Sequence, residues 1–541
     1  MSAIGGKLYL RDDVWFVSSR DLWKTDCEHC LNVEIAVAYK NPEVLALLEP
    51  YRMNVGGLLP VKQGVEFERI LLDSLHQAMG SEFIEINKSE AATTKEHIAS
   101  GVPVIAQAYL ENNFGEVSWT GYADLLVRDD YDLVSTDSKL FATKRDGVPD
   151  SGNYRVWDIK GSSSAKPKYG LQLAGYVKAL QKMGCASDRN PGLVLKYDEF
   201  FEFEGNKVSQ IFDLAMAKVK AKIEDSRARE INLDYISPLH CESESACEQN
   251  SCNYPLFCDK ILTSKHDLSL IYRMGQSAQK LRDHGIQSYE QLASIDQDLV
   301  VPGVKNLSEL SNWARLKVEE DKSGTYFELK PKNEWIPIPS QSLNDIYFDI
   351  EWFNPVLSKK AWVFMFGCAD NDFNFKSLDS LLYEDELTNF RTFVAERLEA
   401  LQQDENSMIY HYHTPEPEHL RKLASFYGEL EEEVELLCSR MIDLRKIVMS
   451  MINPGSNSYS IKAIERYYDA DERLHRGGLV KAGDQAMLQF YEALEHCSNR
   501  RNSEAENLMS IIRDYNKEDC FSTKLLVDWL RGLVSAENKG I

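Results

Sequence analysis

The sequence predicts an α/β protein built of several domains, and three observations carry that reading. The chain has 541 residues, which suits roughly three or four domains with more than one core. Two short runs, YRVWDIKG at 154–161 and IYFDIEWF at 346–353, are strongly strand-forming, yet each places charged groups two residues apart. Stretches with apolar residues at helical spacing accompany both runs.

Composition narrows the class. Hydrophobic residues make up 43% and charged residues 27%, an ordinary globular balance. There is no apolar run of membrane-spanning length and no charged-then-apolar leader, so a cytoplasmic protein without a membrane partner is expected. The net charge of -24 argues against a generally basic nucleic-acid coat. It leaves a nuclease open, because clustered metal-binding carboxylates add negative charge and local basic patches can still guide a phosphate backbone. The 11 cysteines are uneven: Cys27 and Cys30 lie near the start, and Cys241, Cys247, Cys252 and Cys258 fall in one short segment. In a cytosolic chain that clustering suggests metal or iron–sulfur ligation rather than disulfides.

Taken in order, SSRDLWKTDCEHC leads into a helix LNVEIAVAYK, with Ser19 as its N-cap. In GVEFERILLDSLHQAMG, Val65, Phe67, Ile70, Leu71 and Leu75 make a helical stripe, with Glu66 and Glu68 in a first turn that suits carboxylates. Residues 103–128 read as two strands around an Asn-Asn-Phe-Gly turn, the second carrying Asp124. After a polar insertion comes WDIKG. On a strand, Asp158 and Lys160 project to one face. An acid there can hold a divalent cation while the lysine aids an attacking water. The helix KYGLQLAGYVKALQKMG then places Gln172 and Tyr176 one turn apart on one face.

Glu68, Asp124, Asp158-x-Lys160 and Gln172-x-x-x-Tyr176, in that order, resemble the PD-(D/E)XK nuclease core of the RecB family. The resemblance implies a mixed sheet flanked by helices. In it, Asp124 and Asp158 ligate Mg²⁺ or Mn²⁺, Lys160 polarises the nucleophilic water, and Gln172 and Tyr176 hold the site and the DNA backbone. Glu68, a further metal ligand, stands where many relatives have a histidine. The segment HCESESACEQNSCNYPLFCDK resembles the iron–sulfur staple of such nucleases, in which one early cysteine joins three later ones. Cys252 and Cys258 match its final spacing, Cys247 is the third ligand with Cys241 competing, and Cys27 is the distant ligand with Cys30 beside it. A four-thiolate site suits a [4Fe-4S] cluster or, alternatively, zinc, here as a structural clamp.

Residues 263–335 are expected to be a helical connector, vaguely similar to helix-hairpin-helix modules around Gly285 and Gly303. KPKNEWIPIPSQS marks a boundary. The expected domains are 1–262, 263–335 and 340–541.

Asp349 and Glu351 share one face of an apolar strand, a costly arrangement that a divalent metal would compensate. AWVFMFGCAD reads as the next antiparallel strand. Far downstream, RDYNKEDCFSTKLLVDWL is an amphipathic helix with Tyr515 and Asp519 at i and i+4. D-x-E followed about 165 residues later by Y-x-x-x-D resembles the DEDDy 3′–5′ exonucleases with an RNase H-like α/β fold. That class binds two metal ions, and Tyr515 would orient the water. Its middle acid is an aspartate. Here SMIYHYH runs into Thr414-Pro415-Glu416-Pro417-Glu418, and Glu416 best matches relatives of the combined architecture, with Glu418 second. Asp443 reads as a helix start, SNSYSIKAIERYY as structural, and His411 and His413 as satisfied histidines near the site.

Together the motifs resemble a RecB-like nuclease family that joins a PD-(D/E)XK domain to an RNase H-like exonuclease domain. The implied protein is a metal-dependent nuclease acting on single-stranded or duplex DNA ends, with RNA not excluded, in repair or processing. No G-x-x-x-x-G-K-[ST] is present, so an unwinding helicase would be a separate partner. A second reading keeps both folds in a nucleic-acid-binding or scaffolding protein with one active centre or none. A zinc-binding structural protein would explain the cysteines and leave both charged strands to coincidence.

Overall fold

The computed structural model describes residues 8–53, 58–86, 91–241, 252–296, 298–469, 473–474 and 483–538. It divides into two compact units, residues 1–265 and 266–541, both mixing sheets with helices.

In the first unit, strands β1 (Tyr9–Arg11) and β2 (Val14–Val17) form a hairpin. Ser18, rather than Ser19, begins the following helical turn: its backbone N–H donates to Asp21 Oδ2 at 2.9 Å. Cys27 caps helix α1 (Glu28–Ala38). Helix α2 (Leu59–Met79) starts well before the expected turn, because Pro60 sits in its first turn, where a missing N–H costs nothing. Glu66 and Glu68 therefore lie mid-helix, and the dipole does not account for them. The buried stripe is Leu59, Phe67, Leu71, Leu72, Leu75 and Met79, while Val65 is exposed.

Strand β3 (Phe83–Glu85) pairs in parallel with β4 (Val104–Asn113). Strand β4 turns through Phe114-Gly115 into the long antiparallel β5 (Val117–Arg128). The polar insertion holds a hairpin, β6 (Tyr131–Thr136) and β7 (Lys139–Lys144). Strand β8 (Tyr154–Lys160) joins β5 only at Leu125–Arg128, while β2 joins the same strand at Val117–Trp119. Beyond Trp157, β8 pairs instead with β9 (Gly192–Leu195), which continues to β10 (Phe200–Glu202). Strands β5 and β8 thus part company where Asp124 and Asp158 stand. Helices α3 (Pro167–Met183) and α4 (Gly205–Arg227) complete a core that includes Trp15, Trp119, Val156, Leu173 and Phe212. Gly175 lets α3 approach closely: a Cβ there would lie 2.2 Å from the Trp119 ring. Helix α5 (Pro255–Ser264) ends the unit.

In the second unit, short helices at Ser277–Asp283 and Tyr289–Ala293 precede α6 (Leu307–Ser323) and β11 (Phe327–Leu329). Leu281, Leu292, Leu310 and Trp313 from these helices share one core with Tyr347, Leu444 and Leu526. The main sheet runs β14-β13-β12-β15-β16, formed by β12 (Ile346–Phe353), β13 (Trp362–Ala369), β14 (Phe375–Asp379), β15 (Ile409–His411) and β16 (Met441–Asp443). The first three are antiparallel; β12–β15 and β15–β16 are parallel. Strand β17 (Ile452–Pro454) pairs with β11.

Helices α7 (Asp385–Gln403) and α8 (Pro415–Tyr427) supply Phe390, Phe393 and Leu420 to a core with Ile346, Phe348 and Ile350. The alternation of β12 sends these apolar residues to one face and Tyr347, Asp349 and Glu351 to the other. That second face receives α9 (Ile461–Tyr468), α10 (Gly483–Ser498) and the long α11 (Asn502–Asn538). No helix among the described residues is long and apolar enough to cross a membrane.

Candidate functional site

The central strand of the second unit supplies the first two ligands of an acidic group. Asp349, Glu351 and Asp519 each offer a carboxylate oxygen within 4.8 Å of the others, the one such group of three ligand residues among the described residues. Asp349 and Glu351 come from β12, and Asp519 from α11, whose periodicity brings Tyr515 to the same place. Burial, and next the charge of Asp519, push the Glu351 carboxyl up to about 8. Desolvation penalises an isolated carboxylate, and neighbouring acids add to the penalty. The Tyr515 hydroxyl is likewise held far above its ordinary range by burial and then by Asp519, Glu351 and Asp349.

Glu416 is 4% exposed in the first turn of α8, and His411 Nδ1 lies 3.1 Å from its Oε2. Burial raises its carboxyl, and its charge is felt by Glu351. Glu418 instead is exposed and pairs with Lys422 at 3.8 Å. Asp443 caps the helix Leu444–Met451 and accepts the Arg445 N–H at 3.0 Å.

Two residues at this centre were not singled out from the sequence. Asn516, 0% exposed, donates from Nδ2 to Asp349 Oδ2 at 2.7 Å and also hydrogen-bonds Glu351. Lys462, from the segment read as structural, donates to the Tyr515 hydroxyl at 3.3 Å, and its ammonium lies 4.9 Å from that ring's centroid. The signal for Asn516 was its helical phase with the buried Ile512 and Cys520. For Lys462 only its place beside the Ser-Tyr-Ser run could have pointed to it.

In the first unit Glu68, Asp124, Asp158, Lys160, Gln172 and Tyr176 surround one centre, with the carboxylates of Glu68, Asp124 and Asp158, as a set, spaced more widely than the 4.8 Å of the second unit's acids. Lys160 makes an ion pair with Asp158 and lies 3.9 Å from Asp124 Oδ2. Asp124 accepts the Ile159 N–H at 2.7 Å, bridging the gap between the parting strands. Gln172 Nε2 donates to Asp158 Oδ1 at 3.1 Å and to the Tyr176 hydroxyl at 2.9 Å, and that hydroxyl donates to the Tyr122 carbonyl. Glu68 accepts from Gln107, whose φ of 54° kinks β4 opposite Asp124. Burial, then the charges of Asp158 and Glu68, drives the Asp124 carboxyl well above its usual range. Burial also raises Glu68, with Lys160 opposing. The chemistry available is that of three carboxyl groups around a single lysine ammonium.

Cys27, Cys30 and Cys252 share a small buried cluster with Tyr235 and Phe257, and Cys258 is buried too. The Cys27 sulfur accepts the Cys30 N–H at 3.4 Å, and the Cys252 sulfur accepts the Tyr254 N–H at 3.3 Å. Cys30 and Cys252 hydrogen-bond each other, which lowers the Cys252 thiol and raises that of Cys30. Cys258 Sγ is 3.2 Å from His29 Nδ1. Cys241 is half-buried, and Cys247 lies outside the described residues.

No curated protein and no solved structure matches the chain. Residues 346–531 match the model of the RNase_H superfamily, which supports an RNase H-like domain in this stretch, and it carries Asp349, Glu351 and Asp519.

Proposed function

We propose that the chain is a metal-dependent nuclease that hydrolyses phosphodiester bonds of DNA, exonucleolytically on ends or single strands, in repair or processing. The observation that carries this reading is the convergence of Asp349, Glu351 and Asp519 inside a domain of a superfamily whose chemistry is phosphodiester hydrolysis. Mg²⁺ or Mn²⁺ fits this donor set of hard carboxylate oxygens with raised proton affinity. When bound, it supplies Lewis acidity toward water and phosphate oxygens.

The chain's own residues do the rest. Asn516 fixes the orientation of Asp349 and Glu351. Tyr515, held by Lys462, orients the attacking water through its hydroxyl. Glu416 completes the acidic wall from α8, with His411 setting its rotamer.

The first unit is a second nuclease centre of PD-(D/E)XK type, closed by its cysteines. Asp124, Asp158 and Glu68 would hold a divalent ion, Lys160 would polarise water, and Gln172 and Tyr176 would hold Asp158 in place. Cys27, Cys247, Cys252 and Cys258 would hold a [4Fe-4S] cluster or zinc, with Cys30 packed against Cys252. The Cys27 sulfur accepts an N–H at the head of α1, a setting that favours thiolate. A second reading, in which the first unit only binds nucleic acid, draws on the engagement of Lys160 with both aspartates.

The test is cleavage of end-labelled single-stranded and duplex DNA with Mn²⁺, comparing wild type, Lys160→Ala and Asp349→Ala. Two active centres give distinct product losses for the two variants. Loss from one variant alone leaves the other unit as a binding module. Cleavage that persists in chelator overturns the mechanism.

A further inference from the structure

The chain carries a net charge of -24, yet one rim of the Asp124–Asp158 centre is cationic. The loop GSSSAK leaves β8 just past Lys160 and ends at the exposed Lys166, directly before α3. Lys168 follows in the first turn of that helix. Its ammonium lies 5.1 Å from the centroid of the Trp23 ring. The Trp23 indole N–H is buried and has no hydrogen-bond partner among the described residues. Arg20 joins from the short helix Ser19–Leu22.

Among the described residues, none of Arg20, Lys166 and Lys168 pairs with a carboxylate. That is unusual in a sequence with 85 acidic against 61 basic side chains. Burial, and then the neighbouring charges of Lys166, Arg20 and Lys160, hold the Lys168 ammonium below the usual lysine range. Like charges gathered without counter-charges are costly, and a bound anion offsets that cost. The N-terminus of α3, which has no side-chain cap, adds its dipole to the same spot.

We propose that Arg20, Lys166 and Lys168 form a phosphate-binding rim that leads a nucleic-acid strand into the Asp124–Asp158 centre. The inference rests on the nuclease reading of the first unit and names how an acidic protein grips its polyanionic substrate there. Lys168 rests over the Trp23 ring, Arg20 and Lys166 stand near enough for their charges to act on it, and the phosphates of a strand are the anions that match such a group.

The test is anisotropy of a fluorescein-labelled single-stranded oligonucleotide in chelator, as a salt titration of the full chain. The variants are the triple Arg20→Ala/Lys166→Ala/Lys168→Ala, the exposed-site Lys166→Glu, and, as control, Lys322→Glu in the second unit. Loss of three phosphate contacts should flatten the slope of log affinity against log salt by about 2, at about 0.7 per contact for single strands, and weaken binding at least about tenfold at moderate salt. Lys166→Glu should move both in the same direction with an unchanged melting temperature. Lys322→Glu, an equal charge reversal at an exposed lysine of the second unit, should bind like wild type.

A triple variant with the wild-type slope and affinity overturns the rim, as does a wild-type chain that does not bind the oligonucleotide. A wild type that binds through these residues but does not cut with Mn²⁺ leaves the rim standing and removes only the nuclease reading of the first unit.

Discussion

Asn516 donates to Asp349 at 2.7 Å across the space left by the missing side chain of Gly367. Gly367 lies opposite Asp349 in the β12–β13 register. A Cβ on it would stand 1.6 Å from the Asn516 oxygen. Strand β13 therefore carries a glycine in the middle of an apolar run so that an amide from α11 can reach the D-x-E carboxylates.

From this follows a double-mutant prediction. Gly367→Ala should lower stability by about 1–3 kcal/mol through overpacking and should slow cleavage by the second unit, because Asn516 is driven off Asp349. Gly367→Ala combined with Asn516→Ala removes the clash. It should recover much of the melting temperature while cleavage stays slow. Parallel recovery of stability and rate would show that Asn516 does not position Asp349.

The buried acids set a pH dependence. In the metal-free fold Glu351 keeps its proton up to about pH 8, whereas unfolded glutamate releases it near about 4.3. The native state thus binds more protons through that window, so stability falls as pH rises through it. Glu416, Glu68 and Asp124, all raised by burial, act in the same direction. In chelator the melting temperature should fall from about pH 5 to about pH 8, and Glu351→Gln should flatten the decline. Mg²⁺ should restore stability most at the upper end, with proton release on binding. A melting temperature that climbs over this range in chelator would rule the assignment out.

Local periodicity made the acidic strands legible. A period of two puts Asp349 and Glu351 on one face whatever the tertiary context, and i, i+4 spacing does the same for Gln172 with Tyr176 and for Tyr515 with Asp519. What sequence reading missed depends on partners distant in the chain. The helical phase of Asn516 with Ile512 and Cys520 points to burial, but nothing local shows that Gly367 leaves room for its amide beside Asp349. Lys462 reads as a solvated cation until α9 is laid beside α11. The apolar stripe reads from Val65, whereas α2 starts at Leu59, across a Pro that reads as a break yet fits a first turn. The kink at Gln107, at φ 54° in a non-glycine residue, has no sequence signature of its own.

The cysteines make a compositional prediction. If they clamp the first unit around a cluster, anaerobically purified protein should carry iron, with broad visible absorption, or else stoichiometric zinc. Cys252→Ser and Cys258→Ser should each lose the metal and lower the melting temperature, and comparison of Cys27→Ser with Cys30→Ser identifies the distant ligand. Full-length protein that holds neither iron nor zinc and tolerates all four substitutions would reduce the cluster to buried thiols.

Lys462 gives the last prediction. Its ammonium donates to the Tyr515 hydroxyl, and its charge opposes the rise of the Glu351 carboxyl. Lys462→Met removes a positive charge from beside the acids, so their proton affinity should climb. The pH profile of cleavage by the second unit should then shift to higher pH. At neutral pH the rate should drop by about 100-fold, the lower end of what a positioned proton-handling group contributes. Lys462→Arg keeps the charge and should restore the profile while recovering only part of the rate, since the longer planar head meets the Tyr515 ring differently. Lys462 is exposed, so Lys462→Met should leave the melting temperature close to wild type. A lowered melting temperature with an unmoved pH profile would make Lys462 a packing residue of α9 and leave the orientation of Tyr515 to Asp519 alone.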